Sequence, residues 1–160
     1  MRSEQEANRV IELYADMVRR ICMVHLKSYA DAEDIFQEVF LKYVLSPVSF
    51  ESSEHEKAWI IRVTINACKD LIKSFYRSHS VPLDELLPQQ AEMSRENTEV
   101  LEAVMSLPRK YKDVVYLHYY EGYSAVEIAK MLRKNVNTVY TLLSRARDLL
   151  RKALGGDEIA

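Results

Sequence analysis

The sequence predicts an all-α protein: two small helical domains joined by a linker, the C-terminal one containing a helix-turn-helix. Three observations lead there. Only three of the 160 residues are Gly and four are Pro, too few for a turn-dense β-sandwich, while 48% are hydrophobic and 29% charged, as in a folded, helix-rich soluble chain. Apolar residues recur at the three- and four-residue steps of amphipathic helices. The run SHSVPLDELLPQQAEMSREN over 78–97 breaks that periodicity with two prolines and many polar residues. Two domains follow, 1–78 and 98–154, separated by a linker at 79–97 in which VPLDELL has the makings of a helical turn. A large catalytic barrel is excluded by size.

The first domain reads as three helices. Near 3–28, Val10, Leu13, Tyr14, Met17, Ile21 and Val24 form a core-facing stripe. A second helix, near 31–44, starts with Asp31 and Asp34 at cap and first-turn spacing, and Ile35, Val39 and Tyr43 run along its inner face. Its other side offers Asp34, Gln37, Glu38 and Leu41, a mixed acidic surface suited to a protein partner. Glu33, Asp34 and Glu38 lack a histidine pattern or a second ligand cluster, so no metal is expected there. After an irregular stretch at 45–54 containing Pro47, a third helix near 55–77 brings Trp59, Val63, Asn66, Ala67 and Asp70 near one another. Arg62, Lys69, Lys73 and Arg77 mark its basic side. Aromatics and cations together suit unpaired bases and backbone phosphates, although Trp59 itself reads first as a core residue.

The second domain divides at its own signals. Leu101, Val104, Met105 and Leu107 give a short apolar stripe, Pro108 suits the first position of a helix at 108–120, and Gly122 turns away from it. Ser124, three residues before Glu127, makes a capping box for a helix at 124–132. Asn135 caps a final helix, 136–153, with an apolar stripe of Val139, Leu142, Leu143, Ala146, Leu150 and Ala153. Asn137, Tyr140, Thr141, Ser144, Arg145 and Asp148 then face outward. Two helices so spaced have the dimensions of a helix-turn-helix, whose second helix enters a major groove; a packed helical hairpin is the plainer alternative.

The net charge of −2 hides alternating blocks. Residues 28–56 hold seven acids against Lys42, and 57–79 five Lys/Arg against Asp70. Residues 80–107 hold six acids against Arg95, and 123–154 seven Lys/Arg against Glu127 and Asp148. Such blocks let separate surfaces meet a polyanion and a basic partner, with chance clustering on solvated faces as the alternative. Cys22 and Cys68 form no CxxC pair, which leaves a disulfide framework and a four-thiolate site without support and makes a cytoplasmic home the expectation. Acidic residues stand in MRSEQEANRV where a signal peptide would be basic, and no window reaches about 18 uninterrupted apolar residues. The histidines, at 25, 55, 79 and 118, are scattered, and neither GxxxxGK nor HExxH occurs. Cys22 and His25, one helical turn apart, read as core packing plus a surface histidine rather than as nucleophile and base. Neither enzymatic activity nor a cofactor is expected.

These motifs carry a family resemblance. AEDIFQEVFLK at 32–42 followed by AWIIRVTINACKDLIKS at 58–74 resembles region 2 of the small extracytoplasmic-function (ECF) group of bacterial sigma factors, in the sigma-70 superfamily. LPRKYKDVVYLHYYEGYSAVEIAKML followed by NTVYTLLSRARDLLRKAL resembles region 4, and the resemblance covers residues 6–154. It implies a subunit that binds core RNA polymerase, directs it to promoter DNA and helps melt the first element. By motif it makes Asp34, Gln37 and Glu38 contacts to the polymerase beta-prime clamp. Arg62, Asn66, Lys69, Asp70 and Lys73 become the minus-ten face, Asp70 alternatively orienting a neighbouring cation, and the loop 45–56 holds a flipped base. Lys134, Asn137, Tyr140, Thr141, Ser144, Arg145 and Arg147 become the minus-35 face of a module that also meets the polymerase beta flap. An inhibitory anti-sigma factor, often membrane-linked, is implied as well, and any membrane association comes through it.

The chain departs from the family at Arg133, where glycine commonly ends the helix, at Tyr140, often basic, and at Leu142, frequently Arg or Lys. Phosphate attraction then rests more on Lys130, Lys134, Arg145, Arg147 and Arg151. Two other classes stay open: a helix-turn-helix regulator binding operator DNA without joining polymerase, and an interaction protein such as a sigma antagonist.

Overall fold

A computed structural model describes residues 1–26, 28–79 and 98–155, and the chain divides into two compact units, Met1–Ala91 and Glu92–Ala160. From Ser80 onward the expected linker, with its VPLDELL turn, lies outside the described residues, as do the side chains of Arg77 and Leu101.

The first unit is three helices, α1 (Glu4–Leu26), α2 (Tyr29–Leu45) and α3 (Ser53–His79), each packed on the other two. Its core draws Val10, Val18, Ile21 and Val24 from α1, Ile35, Val39 and Tyr43 from α2, and Ile60, Ile61, Ile65 and Ile72 from α3. Each such burial contributes about 1.5–3 kcal/mol. The first-helix stripe is narrower than its spacing suggests: Leu13 is 59% exposed, because it falls at the edge of the arc centred on Met17 and Ile21. His25, expected at the surface, is buried. The start of α2 also differs from expectation, since Ser28 is its N-cap and accepts the Asp31 backbone N–H at 3.4 Å. Asp31 thus sits in the first turn, where its charge complements the helix dipole. Thr64, fully buried on α3, donates its hydroxyl to the Ile60 carbonyl at 2.7 Å, so the core carries no unmet demand there.

The second unit begins with α4 (Thr98–Met105) and α5 (Arg109–Val115), with Pro108 standing just before α5 at its cap. The helix expected over 108–120 changes gauge partway. Residues Tyr116–Tyr120 widen into a π-helical turn in which the Glu121 N–H reaches back five residues to the Tyr116 carbonyl at 3.3 Å. The Tyr116 and Tyr120 rings stack with centroids 5.6 Å apart, and the Tyr116 hydroxyl donates to Glu121 at 2.6 Å. Gly122 leaves the turn with φ +78°, a conformation glycine adopts without strain. Then follow α6 (Ala125–Leu132) and α7 (Val136–Leu154), and α7 packs on α4, α5 and α6. Val139, Leu143, Ala146 and Leu150 make its buried stripe, while Leu142 is only half-buried and Ala153 is exposed on the final turns, beyond that stripe. No helix among the described residues is long and apolar enough to cross a membrane.

Candidate nucleic-acid interface

Burial of Ala32, Ile35, Val39, Phe40 and Tyr43 turns the opposite side of α2 to solvent. Asp34, Gln37 and Glu38 are all exposed on that side, as expected. The stripe is longer than the acidic motif: Leu41 and Leu45, 58% and 59% exposed, continue it at helical spacing. An acidic patch running into exposed leucines has the composition of a protein-docking face. Glu33 does not join it. The Arg19 Nε meets Glu33 Oε1 at 3.0 Å, and the guanidinium lies 4.2 Å from the Phe36 ring centroid, tying Glu33 to α1. Both partners are solvated, so the pair contributes about 1 kcal/mol at most. Among the described residues no group of three His, Cys, Asp or Glu side chains is arranged to hold a metal.

On α3, burial of Ile61, Ile65, Cys68 and Ile72 orients the other side outward. Asn66, Asp70 and Lys73 are exposed and Arg62 and Lys69 half-buried, so all five share one face. At 100° per residue they span an arc of about 100°. Half-buried stems with charged ends keep cations on a helix surface at low entropic cost, which suits a track for a nucleic-acid backbone.

The turn between α2 and α3 is held by residues that spacing did not single out. Arg2, before α1, donates from Nε to the Tyr43 carbonyl at 2.9 Å and from Nη2 to the Val48 carbonyl. Its guanidinium lies 4.4 Å from the Tyr43 ring centroid and 5.1 Å from that of Phe50. Phe50 in turn meets Trp59 at 5.6 Å and His55 at 5.2 Å, both edge to face. Trp59 is half-buried, its ring part of the wall that fixes this turn. Beneath lies Glu56, buried and ionically paired: Arg9 Nη2 is 3.0 Å from Oε2, and the Tyr43 hydroxyl donates to the same oxygen at 3.0 Å. One signal was available, since Glu56 lies four residues before Ile60 and in phase with the buried stripe of α3.

Burial, then the bond to Glu56 and its negative charge, push the Tyr43 phenol above its ordinary value of 10.0. Tyr14 is raised too, chiefly by burial. A phenol whose folded-state pKa exceeds its unfolded value stabilises the fold below the unfolded value, and that contribution is lost as pH rises through the folded pKa. The urea midpoint of the first unit, read from its single Trp, is therefore expected to fall as pH rises beyond 10.0, and to fall less in Tyr43→Phe.

In the second unit the helix-turn-helix is built as its sequence signals require. Ser124 Oγ accepts the Glu127 N–H at 3.1 Å, and Glu127 Oε1 accepts the Ser124 N–H at 3.0 Å, completing the capping box. These bonds hold the Glu127 carboxyl below its ordinary value. Arg133 takes φ 55° and ψ 48°, the left-handed conformation that glycine usually supplies. The Lys134 N–H reaches the Ala129 carbonyl at 2.9 Å and the Arg133 N–H the Lys130 carbonyl at 3.4 Å, the paired bonds of a Schellman motif. A non-glycine residue thus supplies the left-handed cap, at the cost of strain. Relief of about 1–2 kcal/mol against about 0.5–1 kcal/mol of added chain entropy makes Arg133→Gly mildly stabilising. Arg133→Val, β-branched, is expected to lose about 1–2 kcal/mol, both effects being read by native-state hydrogen exchange of α6 and α7 amides.

Asn135 caps α7, its Oδ1 accepting the Asn137 N–H at 2.8 Å. Asn137, Tyr140, Thr141, Ser144, Arg145 and Lys134 are exposed, and Arg147 is half-buried. Asn137, Thr141 and Ser144 form a central stripe of short polar side chains, with Tyr140 and Arg147 on one flank and Arg145 on the other. Short groups in the middle and arginines at the sides match a groove floor bordered by phosphates. Two details refine the face. Thr141 Oγ1 donates to the Asn137 carbonyl at 3.0 Å, which leaves its lone pairs as acceptors. Arg147 Nε donates to the Tyr119 hydroxyl at 3.2 Å, so a tyrosine from the π turn aims this arginine.

Comparison with known proteins gives consistent results. The family described as Sigma-70 region 2 matches residues 10–78, and that described as Sigma-70, region 4 matches residues 97–150. The ECF RNA polymerase sigma factor SigW of Bacillus subtilis is 29% identical, the alignment covering 91% of this chain and 87% of SigW. RNA polymerase sigma factor SigV of the same organism is 28% identical over 88% of this chain and 86% of its own. Among solved structures, the sigma factor RpoE from Bartonella quintana, crystallised with the anti-sigma factor NepR, aligns with a TM-score of 0.76 at 18% identity, covering 96% of this chain and 99% of that one. CnrH, solved with the cytosolic domain of CnrY, aligns with a TM-score of 0.66 at 19% identity, covering 95% and 89%.

Proposed function

The chain belongs to the sigma-70 family, in its extracytoplasmic-function group, and from that premise we propose how its polar faces divide the work of initiation. It is a sigma factor, binding core RNA polymerase and directing it to promoter DNA. Residues 1–78 form the core-binding and minus-ten domain, 79–97 the linker and 98–154 the minus-35 domain. The α2 stripe, Asp34, Gln37 and Glu38 with Leu41 and Leu45, docks on the beta-prime clamp. Arg62, Asn66, Lys69, Asp70 and Lys73 on α3, with the turn that Arg2 and Phe50 hold, take the minus-ten element and favour its unstacked bases. Lys134, Asn137, Tyr140, Thr141, Ser144, Arg145 and Arg147 take the minus-35 element, and the same unit meets the beta flap. The chain makes and breaks no covalent bond; binding energy selects the site and favours the open duplex.

The observation that carries this reading is the pair of family matches, region 2 then region 4, on one chain whose acidic-apolar and polar-cationic faces all point to solvent. RpoE and CnrH were each solved with a partner protein, NepR an anti-sigma factor and CnrY through its cytosolic domain. By that likeness this chain has an anti-sigma partner of its own, acts in the cytoplasm and meets a membrane only through that partner.

Reconstitution tests the whole. Core polymerase with this chain initiates from a cognate promoter on which core alone is inert; a regulator would bind the duplex unaided, and an antagonist would suppress transcription. In the same assay Asp34→Lys with Glu38→Lys is expected to weaken holoenzyme formation at least tenfold, a loss of about 1.4 kcal/mol. Unchanged core affinity at matched ionic strength, with helicity retained, would remove α2 from the interface.

A further inference from the structure

One pair of thiols plays no part in these interfaces. Cys22 on α1 and Cys68 on α3 are both fully buried, and their sulfurs lie 3.9 Å apart across the helix-helix contact, 46 residues apart in sequence. A disulfide holds its sulfurs at about 2.05 Å, so bonding asks for an approach of about 2 Å shared between two side chains already facing each other. Most residue pairs are excluded from bridging because their side chains point apart; this pair is not.

We propose that Cys22 and Cys68 form a peroxide-driven intramolecular disulfide site that staples α1 to α3. Burial selects the oxidant. A bulky disulfide such as glutathione disulfide cannot reach a sulfur with no exposed surface, whereas hydrogen peroxide is small and uncharged. One thiol is oxidised to a sulfenic acid with release of one water, and the other thiol then displaces hydroxide from it as a second water, the S–S bond forming as the S–O bond breaks. The sum is two thiols and one peroxide giving one disulfide and two waters. Both sulfurs are enclosed by the helix-helix contact and peroxide has to enter it, so the first step is slower than at an exposed cysteine. The second step has its partner in van der Waals contact, which favours the disulfide over further oxidation to the sulfinic acid.

The consequence follows from what the bond would enclose. All of α2 and the turn to α3 lie between the two cysteines, so the docking stripe and the Arg2-held turn fall inside one covalent loop. Closing a loop of that length restricts the unfolded chain and leaves the outward faces where they are. Oxidation therefore hardens the first unit. In a reducing compartment the bond is transient, present while peroxide is present.

The full-length chain would be treated natively with hydrogen peroxide, denatured with N-ethylmaleimide and digested for mass spectrometry. The expected result is a Cys22–Cys68 linked peptide, a loss of two hydrogens from the intact mass, and a dithiothreitol-reversible rise in the urea midpoint reported by Trp59. Glutathione disulfide at equal concentration is expected to yield at least tenfold less. Two alkylated thiols, sulfinic acid without a link, or only intermolecular links would overturn the proposal, as would an unchanged or lowered midpoint in the linked chain. Peptide mapping of the wild-type chain needs no cysteine variant to fold. Neither measurement uses polymerase or promoter, so the outcome is independent of the function proposed above.

Discussion

Replacing Glu56 by Ala is expected to lower the stability of the three-helix unit by about 2–4 kcal/mol, a large change for a surface-to-core hydrogen-bond network. The carboxylate is buried, and its Oε2 accepts from both Arg9 and the Tyr43 hydroxyl. Its removal leaves that hydroxyl buried without an acceptor and opens space beneath the turn. Arg9, about half exposed, can return to water, which keeps the loss below that of a fully buried pair. Glu56→Gln preserves an acceptor for Tyr43 while removing the charge, and is expected to cost about half as much. Trp59 is the only tryptophan and lies beside Phe50 over this network, so its fluorescence reports the first unit of a two-unit chain rather than the chain as a whole. A change under 1 kcal/mol in Glu56→Ala would mean that the network is incidental to the fold.

The other large effect belongs to promoter discrimination. Asn137→Ala or Thr141→Ala is expected to change preference among minus-35 variants by about 1–3 kcal/mol at the contacted base pair. Both side chains stand on the exposed central stripe at the start of α7, where a helix entering a major groove presents its base-reading groups. Lys134→Ala and Arg145→Ala on its borders are expected to weaken binding to all variants alike and to reduce the salt slope by about 0.9 for each phosphate no longer neutralised. Because Arg147 is aimed by Tyr119, Tyr119→Phe is expected to reproduce part of the Arg147→Ala effect without removing a charge. A promoter library measured at several salt concentrations separates the two behaviours. Uniform weakening by Asn137→Ala and Thr141→Ala would place base reading elsewhere on the helix.

Where side chains repeat with the helical period, the fold could be read from sequence alone. Val139, Leu143, Ala146 and Leu150 of α7, the Ser124 capping box and the Asn135 cap lie where their spacing puts them, because each depends on residues within four positions of one another, whereas Leu142 and Ala153, at the same spacing, stay partly or wholly in solvent. The outward placement of Asp34, Asn66 and Asn137 followed for the same reason, since fixing a helix's inner face fixes its outer one. Long-range contacts left weaker marks. Arg2 finds Val48 across 46 residues, and Arg9 finds Glu56 across 47, with no periodicity to announce either pairing. Leu13 and His25 were misplaced because periodicity gives an arc, while the neighbouring helices decide how much of it is covered. At Arg133, where the family commonly has glycine, the two Schellman bonds hold the left-handed backbone against the side chain's preference, a balance that residue type alone does not announce.

The widened turn at 116–120 bears on how this module can change length. A π turn holds one residue more than the α-helical path it replaces, a local insertion absorbed without rotating the segments on either side. Deleting one residue there would let the backbone relax into an ordinary α-helix and keep Tyr111, Val114 and Val115 facing inward. The same deletion two turns earlier would rotate part of α5 by about 100° and carry buried side chains into water. This turn is therefore one place among the described residues where single-residue length variants can accumulate among natural or engineered descendants, with loss of the Tyr119 support to Arg147 as the foreseeable cost in DNA binding rather than in folding.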